Sequence, residues 1–279
     1  MRNKAWVIFF FAALLATASA SGCSRGSPEG LKGTVTAAGS TALLPLAKQA
    51  AELFMSTNPG VTVNVSGGGS FTGLTQVAAG SVDIGNSDVP ATPELAGQGL
   101  VDHQVAVAPF VIITHPGVGV DSLSREQLAG IFTGSIPNWK EVGGPDLAIT
   151  IIHRAKSSGS RATISEIVLG GRDFTDRAVI LNSNGEVRQG VATNPGAIGY
   201  VDVAYLNETV KAIAYNGVPY SPENVIAGRY PVYAYEHMYT RGEARGAVKA
   251  FLDFVLSPEF QGKYVEKLGF IPITRLKKG

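Results

Sequence analysis

The chain has 279 residues, of which 45% are hydrophobic and 16% are charged, with 34 glycines and 15 prolines. This length allows one large domain or two halves with cores of their own. The formal net charge is +1, from 23 basic and 22 acidic residues. Because nucleic-acid-binding proteins usually carry a clustered basic excess, this balance argues against a nucleic-acid partner. A near-neutral protein that binds an anion must rely on local dipoles and a few placed charges.

The first 22 residues have the pattern of a bacterial secretory signal. Arg2 and Lys4 precede an apolar run from Ala5 to Ala18, and small residues follow as far as Gly22. The run is short for a membrane span. We therefore expect export with removal of residues 1–22, and treat a membrane-anchoring helix as the alternative.

Cys23 is the only cysteine of the chain, so no intrachain disulfide can form. The preceding residues Ala20, Ser21 and Gly22 resemble the lipobox of bacterial lipoproteins, although Ala20 stands where that pattern prefers leucine. In such proteins the cysteine becomes the first mature residue and carries the lipid. An incidental thiol near an ordinary cleavage site is the alternative. Residues 24–32 are polar with Pro and Gly and predict a flexible tether, so the protein would be anchored on the extracytoplasmic face of a membrane.

The first part of the mature chain alternates between predicted strands and helices. Strands are predicted over residues 34–39, 61–65 and 82–85. Helices are predicted to follow Ser40 and Ser70, which stand at N-cap positions before apolar residues at helical spacing. This β-α-β-α-β order predicts a parallel sheet flanked by helices.

A second set of elements follows a long β-rich run from Val105 to Thr114. Ser124 to Gln127 form a capping-box pattern that predicts a helix start. Further strands are predicted over residues 149–153, 196–201 and 230–235, and further helices over 160–169, 184–192, 242–256 and 258–268. We interpret the whole as an α/β protein with two lobes joined by two crossing strands. Lobe 1 would comprise residues 33–109 and 234–279, and lobe 2 residues 110–233, with a ligand cleft between them.

Three predicted strand-to-helix turns combine glycine with small hydroxyl residues. They are Gly39-Ser40-Thr41, Gly69-Ser70 and Ser157-Ser158-Gly159-Ser160. The N-terminus of a helix presents free backbone N–H groups and a partial positive charge. Each turn alone fits an ordinary N-cap. Three turns aimed at one point would make an anion site without formal charge.

Two charged side chains are candidates for the same site. Arg154 ends a predicted strand four residues before Ser158, and its planar fork suits an oxyanion, although a surface ion pair is the alternative. Asp88 follows the strand at residues 82–85, and it could instead cap the next turn. A carboxylate in an anion site suits phosphate, which keeps a proton near neutral pH and can donate a hydrogen bond. Sulfate has no proton to donate, so the desolvated carboxylate would exclude it. Asp83 lies inside the predicted strand, and we expect it to be structural.

With these segments in view, the chain resembles the phosphate-binding proteins of bacterial high-affinity phosphate ABC transporters. The matching segments are AAGSTALLPLA, SGGGSFTGLTQVAAGSVDIGNSDVP, IFTGSIPNWKEVGG, HRAKSSGSRATI, SNGEVRQGVATNPGAIGYVD and YPVYAYEHMYT, which spread from about Thr34 to Phe270. The resemblance implies the bilobed periplasmic-binding-protein fold of type II, with dehydrated phosphate held between lobes that close about a hinge. It also implies delivery to a membrane permease, and we expect a monomer without cofactor, metal or catalytic activity.

The resemblance also implies which residues contact phosphate. Carried over by motif, they are Ser40, Thr41, Ala42 through its backbone N–H, Ser70, Asp88 as proton acceptor, Arg154, Ser158, Gly159 and Ser160. The chain departs from the family pattern at Phe71, where many relatives have glycine, and at Lys156, where some have an acidic residue that orients the arginine. Ser160 replaces a frequent threonine and keeps the hydroxyl. Asn184 and Glu186 are further candidates for the edge of the cleft.

Three other functions remain possible from the sequence. An exported hydrolase would need a metal cluster or an activated nucleophile, and the four histidines, His103, His115, His153 and His237, are scattered without metal-ligand spacing. A binding protein for another oxyanion would use the same fold, but Asp88 disfavours fully deprotonated anions. A surface or signalling protein on this fold is the third, because a fold does not fix a function.

Overall fold

A computed structural model of the protein describes residues 30–276. The predicted signal peptide, Cys23 and most of the tether lie outside the described residues, as do residues 277–279. From Leu31 onward the chain forms one compact unit. Within the described range, none of the helices has the length and apolar character needed to cross a membrane.

The unit is built from ten strands and nine α-helices within the described residues. The strands are β1 (Gly33–Gly39), β2 (Val61–Gly67), β3 (Ile84–Ser87), β4 (Leu100–Thr114), β5 (Ser122–Leu123), β6 (Thr150–Arg154), β7 (Val179–Leu181), β8 (Ala197–Asp202), β9 (Lys211–Tyr215) and β10 (Tyr233–Arg241). The helices are α1 (Leu44–Thr57), α2 (Ser70–Ala78), α3 (Pro93–Ala96), α4 (Arg125–Phe132), α5 (Gly159–Ile167), α6 (Asn184–Thr193), α7 (Pro222–Ile226), α8 (Gly246–Val255) and α9 (Pro258–Phe260).

The strands pair in the order β2-β1-β3-β10-β4-β8-β6-β7, and β9 joins β4 to β5. The pairs β1–β2, β1–β3, β6–β8 and β6–β7 are parallel, whereas β10 runs antiparallel to both β3 and β4. The predicted β-α-β-α-β unit is therefore present at the start of the chain. Parallel strands bring their carboxyl ends to one edge, which is where the strand-to-helix turns lie.

Strand β4 belongs to both parts of this sheet. Residues 100–109 pair with β10, whereas residues 110–114 pair with β8. We call β2, β1, β3, β10 and residues 100–109 the first sheet half, and residues 110–114 with β8, β6, β7, β9 and β5 the second sheet half. From Val105 to Thr114 every residue of β4 is buried, as expected of a central strand covered on both faces.

Three predicted elements differ from the structure. The strand predicted over residues 230–235 begins only at Tyr233, since Pro231 has no N–H for a ladder and the Tyr230 hydroxyl instead donates to the Phe110 carbonyl at 2.8 Å. The helix predicted from Gly242 begins at Gly246, because Gly242 and Gly246 have φ values of +71° and +53°. The helix predicted over residues 258–268 is α9 followed by a π-turn at Gln261–Val265 and a 3₁₀ turn.

The core lies between the sheet and its helices. Helix α1 buries Leu46, Ala47, Ala50, Ala51 and Phe54, which recur at the spacing predicted from the sequence. The Phe54 ring packs edge-on against Phe251 of α8, with centroids 5.5 Å apart. Burying one such large side chain contributes about 1.5–3 kcal/mol, so this contact fixes α1 and α8 against the first sheet half.

Candidate functional site

The three glycine- and serine-containing turns meet at the boundary between the sheet halves. The Gly69 N–H donates to the Gly39 carbonyl at 2.8 Å, which joins the first two turns. The Phe71 N–H donates to the Ser157 carbonyl at 3.1 Å, which joins the second turn to the third. The N-termini of helices α2 and α5 therefore lie next to each other, as the anion-site hypothesis requires.

The first turn differs from the prediction in where its helix begins. Helix α1 begins at Leu44 rather than directly after Ser40, so Ser40 is not its N-cap. The Ser40 hydroxyl accepts the N–H groups of Ala42 and Leu43, both at 3.0 Å, and the Ser40 N–H donates to the Asn86 carbonyl at 2.8 Å. The Ala42 N–H, predicted to bind the anion, therefore lies within a side-chain turn of the ST type.

Ser70 was predicted to cap a helix, but it is the first residue of α2 and Gly69 precedes it. Its side chain is fully buried, and its oxygen accepts the Asp88 N–H at 3.0 Å. Ser70 therefore fixes the backbone of the residue that carries the candidate carboxylate.

Asp88 lies directly after β3 and is 3% exposed. One carboxylate oxygen, Oδ2, accepts the hydroxyl of Ser160 at 2.8 Å. The other, Oδ1, is buried and has no hydrogen-bond donor among residues 30–276. By contrast, Asp83 precedes β3 and accepts both the N–H and the hydroxyl of Thr36, so it is structural as predicted.

Arg154 ends β6 and is 1% exposed. Its Nη2 donates to the Asn182 carbonyl at 2.8 Å, whereas Nε and Nη1 have no acceptor within the described part of the chain. Burial lowers the pKa of Arg154, and the nearby Asp88 carboxylate opposes this most strongly. A guanidinium remains charged at neutral pH, so the N–H groups on two of its nitrogens, Nε and Nη1, are available in this interior to an oxyanion.

The third turn places Ser158, Gly159 and Ser160 at the start of α5. The Ser158 hydroxyl accepts the Arg161 N–H at 3.2 Å and is the N-cap, while Ser160 reaches Asp88. A Cβ on Gly159 would lie 2.9 Å from the Ser70 Cβ and 3.0 Å from the Asp88 Cβ. Only glycine allows α5 to approach α2 this closely.

A second set of contacts joins the halves through Thr41. Asn184, at the start of α6, donates its side-chain N–H to the Thr41 hydroxyl at 3.1 Å. The Tyr205 hydroxyl donates to the Thr41 carbonyl at 2.6 Å. Asn184, left open by the sequence, thus lies in the site, whereas Glu186 is exposed and accepts the Asn182 N–H.

Two buried acids at the site were missed by the sequence reasoning. Asp202 ends β8, and Glu236 lies in β10; both are fully buried. Burial, with the Asp88 carboxylate, raises the pKa of each well above its ordinary value. The alternation of side chains along a strand could have predicted the burial of Glu236. Val232, Ala234 and Glu236 share one buried face, while Tyr233 and Tyr235 are half-buried.

The two departures from the family pattern lie outside the polar site. The Phe71 side chain packs on the apolar cluster of Leu74, Val77 and Tyr239. Lys156 is exposed. Arg154 has the Asn182 carbonyl as its partner in place of an acidic residue two positions on.

Two observations bear on the hydrolase alternative, namely the surroundings of His153 and the grouping of metal-ligating side chains. His153 lies inside β6, its Nδ1 is 2.9 Å from the Arg154 carbonyl oxygen, and its ring packs on Phe174 with centroids 4.5 Å apart. Burial lowers its pKa. Between residues 30 and 276 no group of three or more His, Cys, Asp or Glu side chains could hold a metal ion.

The chain is similar to known proteins over most of its length. The PBP superfamily domain matches residues 17–259. The phosphate-binding protein PstS of Bacillus subtilis is 41% identical over 289 aligned residues, covering 99% of this chain and 96% of that protein. The PstS of Borreliella burgdorferi is 27% identical, covering 97% and 99%.

A solved structure is similar over most of the chain. It is a Clostridium perfringens substrate-binding protein assigned to a phosphate ABC transporter, crystallised with bound phosphate. It has a TM-score of 0.83 and 32% identity, over 86% of this chain and all of that one. The predicted periplasmic-binding-protein fold and the predicted family are thereby confirmed: this chain belongs to the PBP superfamily and, within it, to the family of the phosphate-binding proteins PstS.

Proposed function

We propose that this protein binds inorganic phosphate outside the cytoplasmic membrane and delivers it to the permease of an ABC transporter, without catalysis. The observation that carries the proposal is the presence of Arg154 and Asp88 in one buried site, where the charge of Asp88 acts on Arg154 but leaves Nε and Nη1 without an acceptor. The N–H groups on two guanidinium nitrogens can donate to phosphate oxygens, and the nearby carboxylate can accept a hydrogen bond from the O–H that phosphate retains. A site with donors alone would not distinguish phosphate from sulfate.

The helix starts would complete the site. Ser40, Thr41, Ala42 and Ser70 would contact the anion from one side, and Ser158, Gly159 and Ser160 from the other. Backbone N–H groups at helix N-termini favour an anion because they add partial positive charge without a counter-ion. Of these N–H groups, that of Ala42 would have to leave the Ser40 hydroxyl to reach the ligand.

Capture would couple to closure of two lobes, residues 33–109 with 234–279 and residues 110–233. The change of partners along β4 at Pro109 and Phe110 supports this division. Contacts such as Ser160 to Asp88 and Asn184 to Thr41 would form only when the lobes are closed. A ligand that binds both lobes shifts the population towards that state.

The pattern of residues 1–32 supports export and anchoring as part of this proposal. Removal of residues 1–22 and lipidation of Cys23 would hold a monomer beside the permease, tethered by the polar residues up to Lys32. Mass spectrometry of the protein from its native membrane would detect a diacylglyceryl group on Cys23 as the first residue. An unmodified Cys23 would contradict the anchoring while leaving phosphate binding intact.

Calorimetric titration of the chain from Ser24 onward tests phosphate binding. Bound phosphate is first removed by unfolding and refolding, and phosphate and sulfate are then titrated into wild type, Asp88→Asn and the exposed-site control Asp176→Asn. We expect wild type and control to bind phosphate and not sulfate. Asp88→Asn should bind phosphate more weakly or accept sulfate, because its amide can donate. Refolded wild type that binds neither anion would refute the proposal.

A further inference from the structure

Glu236 is a buried acid without an ordinary partner. It lies in the middle of β10 and is fully buried, and neither carboxyl oxygen accepts a hydrogen bond from any N–H or O–H group of residues 30–276. Every other glutamate in that range is exposed. An ionised carboxylate without donors is among the most costly groups to bury, so Glu236 requires a specific explanation.

The group facing Glu236 is another carboxyl group. Ser87 of β3 pairs with His237 of the antiparallel strand β10, so Asp88 and Glu236 occupy the next positions in this register on adjacent strands. Asp88 Oδ1 has no donor from the described chain. Two carboxylates cannot hydrogen-bond to each other, but a carboxylic acid and a carboxylate can, because one then supplies an O–H. A single proton between them would satisfy one oxygen of each residue.

The surrounding charges indicate that this proton is retained. Asp88 follows β3, Asp202 ends β8, Glu236 lies in β10, and the positive charge facing Asp88 is Arg154 of β6. Tyr205 also faces Asp202 and Asp88, and burial raises its pKa, so it stays neutral. Three ionised carboxylates against one guanidinium would leave a negative interior that repels any anion.

We propose that Glu236 is held as a neutral carboxylic acid whose O–H donates a hydrogen bond to Asp88. Glu236 would then be a positioning residue for the specificity of the anion site. This inference rests on the proposed function. Ser160 donates to Asp88 Oδ2, and Glu236 would donate to Oδ1, so both oxygens of the acceptor carboxylate are held in place. Donors to a carboxylate stabilise its charged form, which keeps Asp88 an acceptor beside a bound anion.

The same arrangement gives binding a pH dependence. Burial, then the charges of Asp88 and Asp202, raise the pKa of Glu236 well above its ordinary value. A group whose pKa is raised in the folded state stabilises that state at low pH. This stabilisation is lost as the pH rises through the raised pKa. Phosphate affinity should therefore fall on the alkaline side, when Glu236 ionises beside Asp88.

Carboxyl NMR tests the protonation directly. Protein from Ser24 onward is labelled with ¹³C at the glutamate carboxyl carbon only, so neither Asp88 nor Asp202 contributes a signal. Between about pH 5 and pH 8 the exposed glutamates should finish deprotonating, while one signal stays at the position of a neutral acid and is missing from Glu236→Gln. If the Glu236 signal moves with the exposed ones, the proposal is wrong. The same result is expected if Asp88 holds the proton, so that alternative would also contradict the proposal.

Phosphate titration tests the positioning role. Glu236→Gln keeps a donor for Asp88 and should bind within about threefold of wild type near neutral pH, without the alkaline fall. Glu236→Leu removes the donor and should bind about tenfold more weakly. Glu52→Gln, in an exposed position of α1, is the control and should keep the wild-type pH profile.

The outcomes separate the two proposals. Equal affinities and equal pH profiles in wild type, Glu236→Gln and Glu236→Leu would overturn the positioning role. If Glu236→Leu fails to fold, the pH profile of Glu236→Gln decides, since a purely structural role would not change it. If wild type binds no phosphate, the proposed function fails, whereas the NMR titration still decides the protonation of Glu236.

Discussion

Serine stands at the start of α4 and at the starts of α2 and α5, but it makes different hydrogen bonds there. Ser124 and Gln127 form a capping box, in which the Ser124 hydroxyl accepts the Gln127 N–H at 3.1 Å and Gln127 accepts the Ser124 N–H at 2.9 Å. Ser70 instead holds the Asp88 N–H, and Ser160 holds the Asp88 carboxylate. The capping box satisfies its own polar groups, whereas the candidate site contains charged groups without partners in residues 30–276.

Because the same residue type occurs in both settings, serine at a helix start is not by itself evidence of a binding site. What distinguishes the candidate site is burial together with guanidinium nitrogens that have no acceptor in residues 30–276, namely Arg154 Nε and Nη1. Such groups are costly in a folded protein unless something else pairs with them. Variants at the site should therefore change binding, and variants at α4 should change stability.

The largest effect is expected for Arg154→Met. Removing one member of a buried charge pair costs about 2–5 kcal/mol of binding free energy, or about thirtyfold to several thousandfold in phosphate affinity. Calorimetry measures this, with the exposed Arg177→Met as control. Arg154→Lys should give an intermediate loss, because it keeps the charge without the planar fork. Unchanged affinity in Arg154→Met would exclude this arginine from the site.

A smaller loss of affinity is expected for Gly159→Ala. The new Cβ would overlap Ser70 and Asp88, so the halves would have to separate. Overpacking of this kind costs about 1–3 kcal/mol, which corresponds to about fivefold to 150-fold weaker phosphate binding. Gly262→Ala, where an added Cβ meets open space, is the control and should bind normally. Wild-type affinity in Gly159→Ala would show that binding does not require this close approach.

The smallest effect, and one confined to stability, is expected for Ser124→Ala. Loss of the cap should lower the free energy of unfolding by about 1 kcal/mol. Urea denaturation of wild type and variant measures the difference, and calorimetry should find the same phosphate affinity in both. Should Ser124→Ala instead weaken phosphate binding as much as Gly159→Ala, the distinction between the two kinds of helix start would fail.

Much of this fold could be predicted because periodicity and turn chemistry are local. The strand-helix order near the start, the helix face of α1 and the capping box at Ser124 were all predicted from neighbouring residues. The errors fall where backbone geometry decided the outcome, as at Gly242 and Gly246, whose positive φ values delay the start of α8. Residue type alone does not reveal which glycine will adopt such a conformation.

The site was predicted less completely because its contacts are distant in sequence. Arg154, Asp88 and the hydroxyl turns carry recognisable residue types at strand ends. Glu236 lies in an aromatic strand, and its importance depends on Asp88 lying beside it, 148 positions away in the numbering. Ser40 and Ser70 show the converse. Their positions in the sequence predict helix caps, whereas in the structure Ser40 holds a turn and Ser70 holds the Asp88 backbone.

The most direct measurement is a crystal structure of the protein from Ser24 onward with phosphate bound. The account predicts phosphate between the halves, with oxygens at hydrogen-bonding distance from Arg154 Nε or Nη1 and one oxygen facing the Asp88 carboxylate. Phosphate bound elsewhere, or in this site without contact to Arg154 and Asp88, would contradict it.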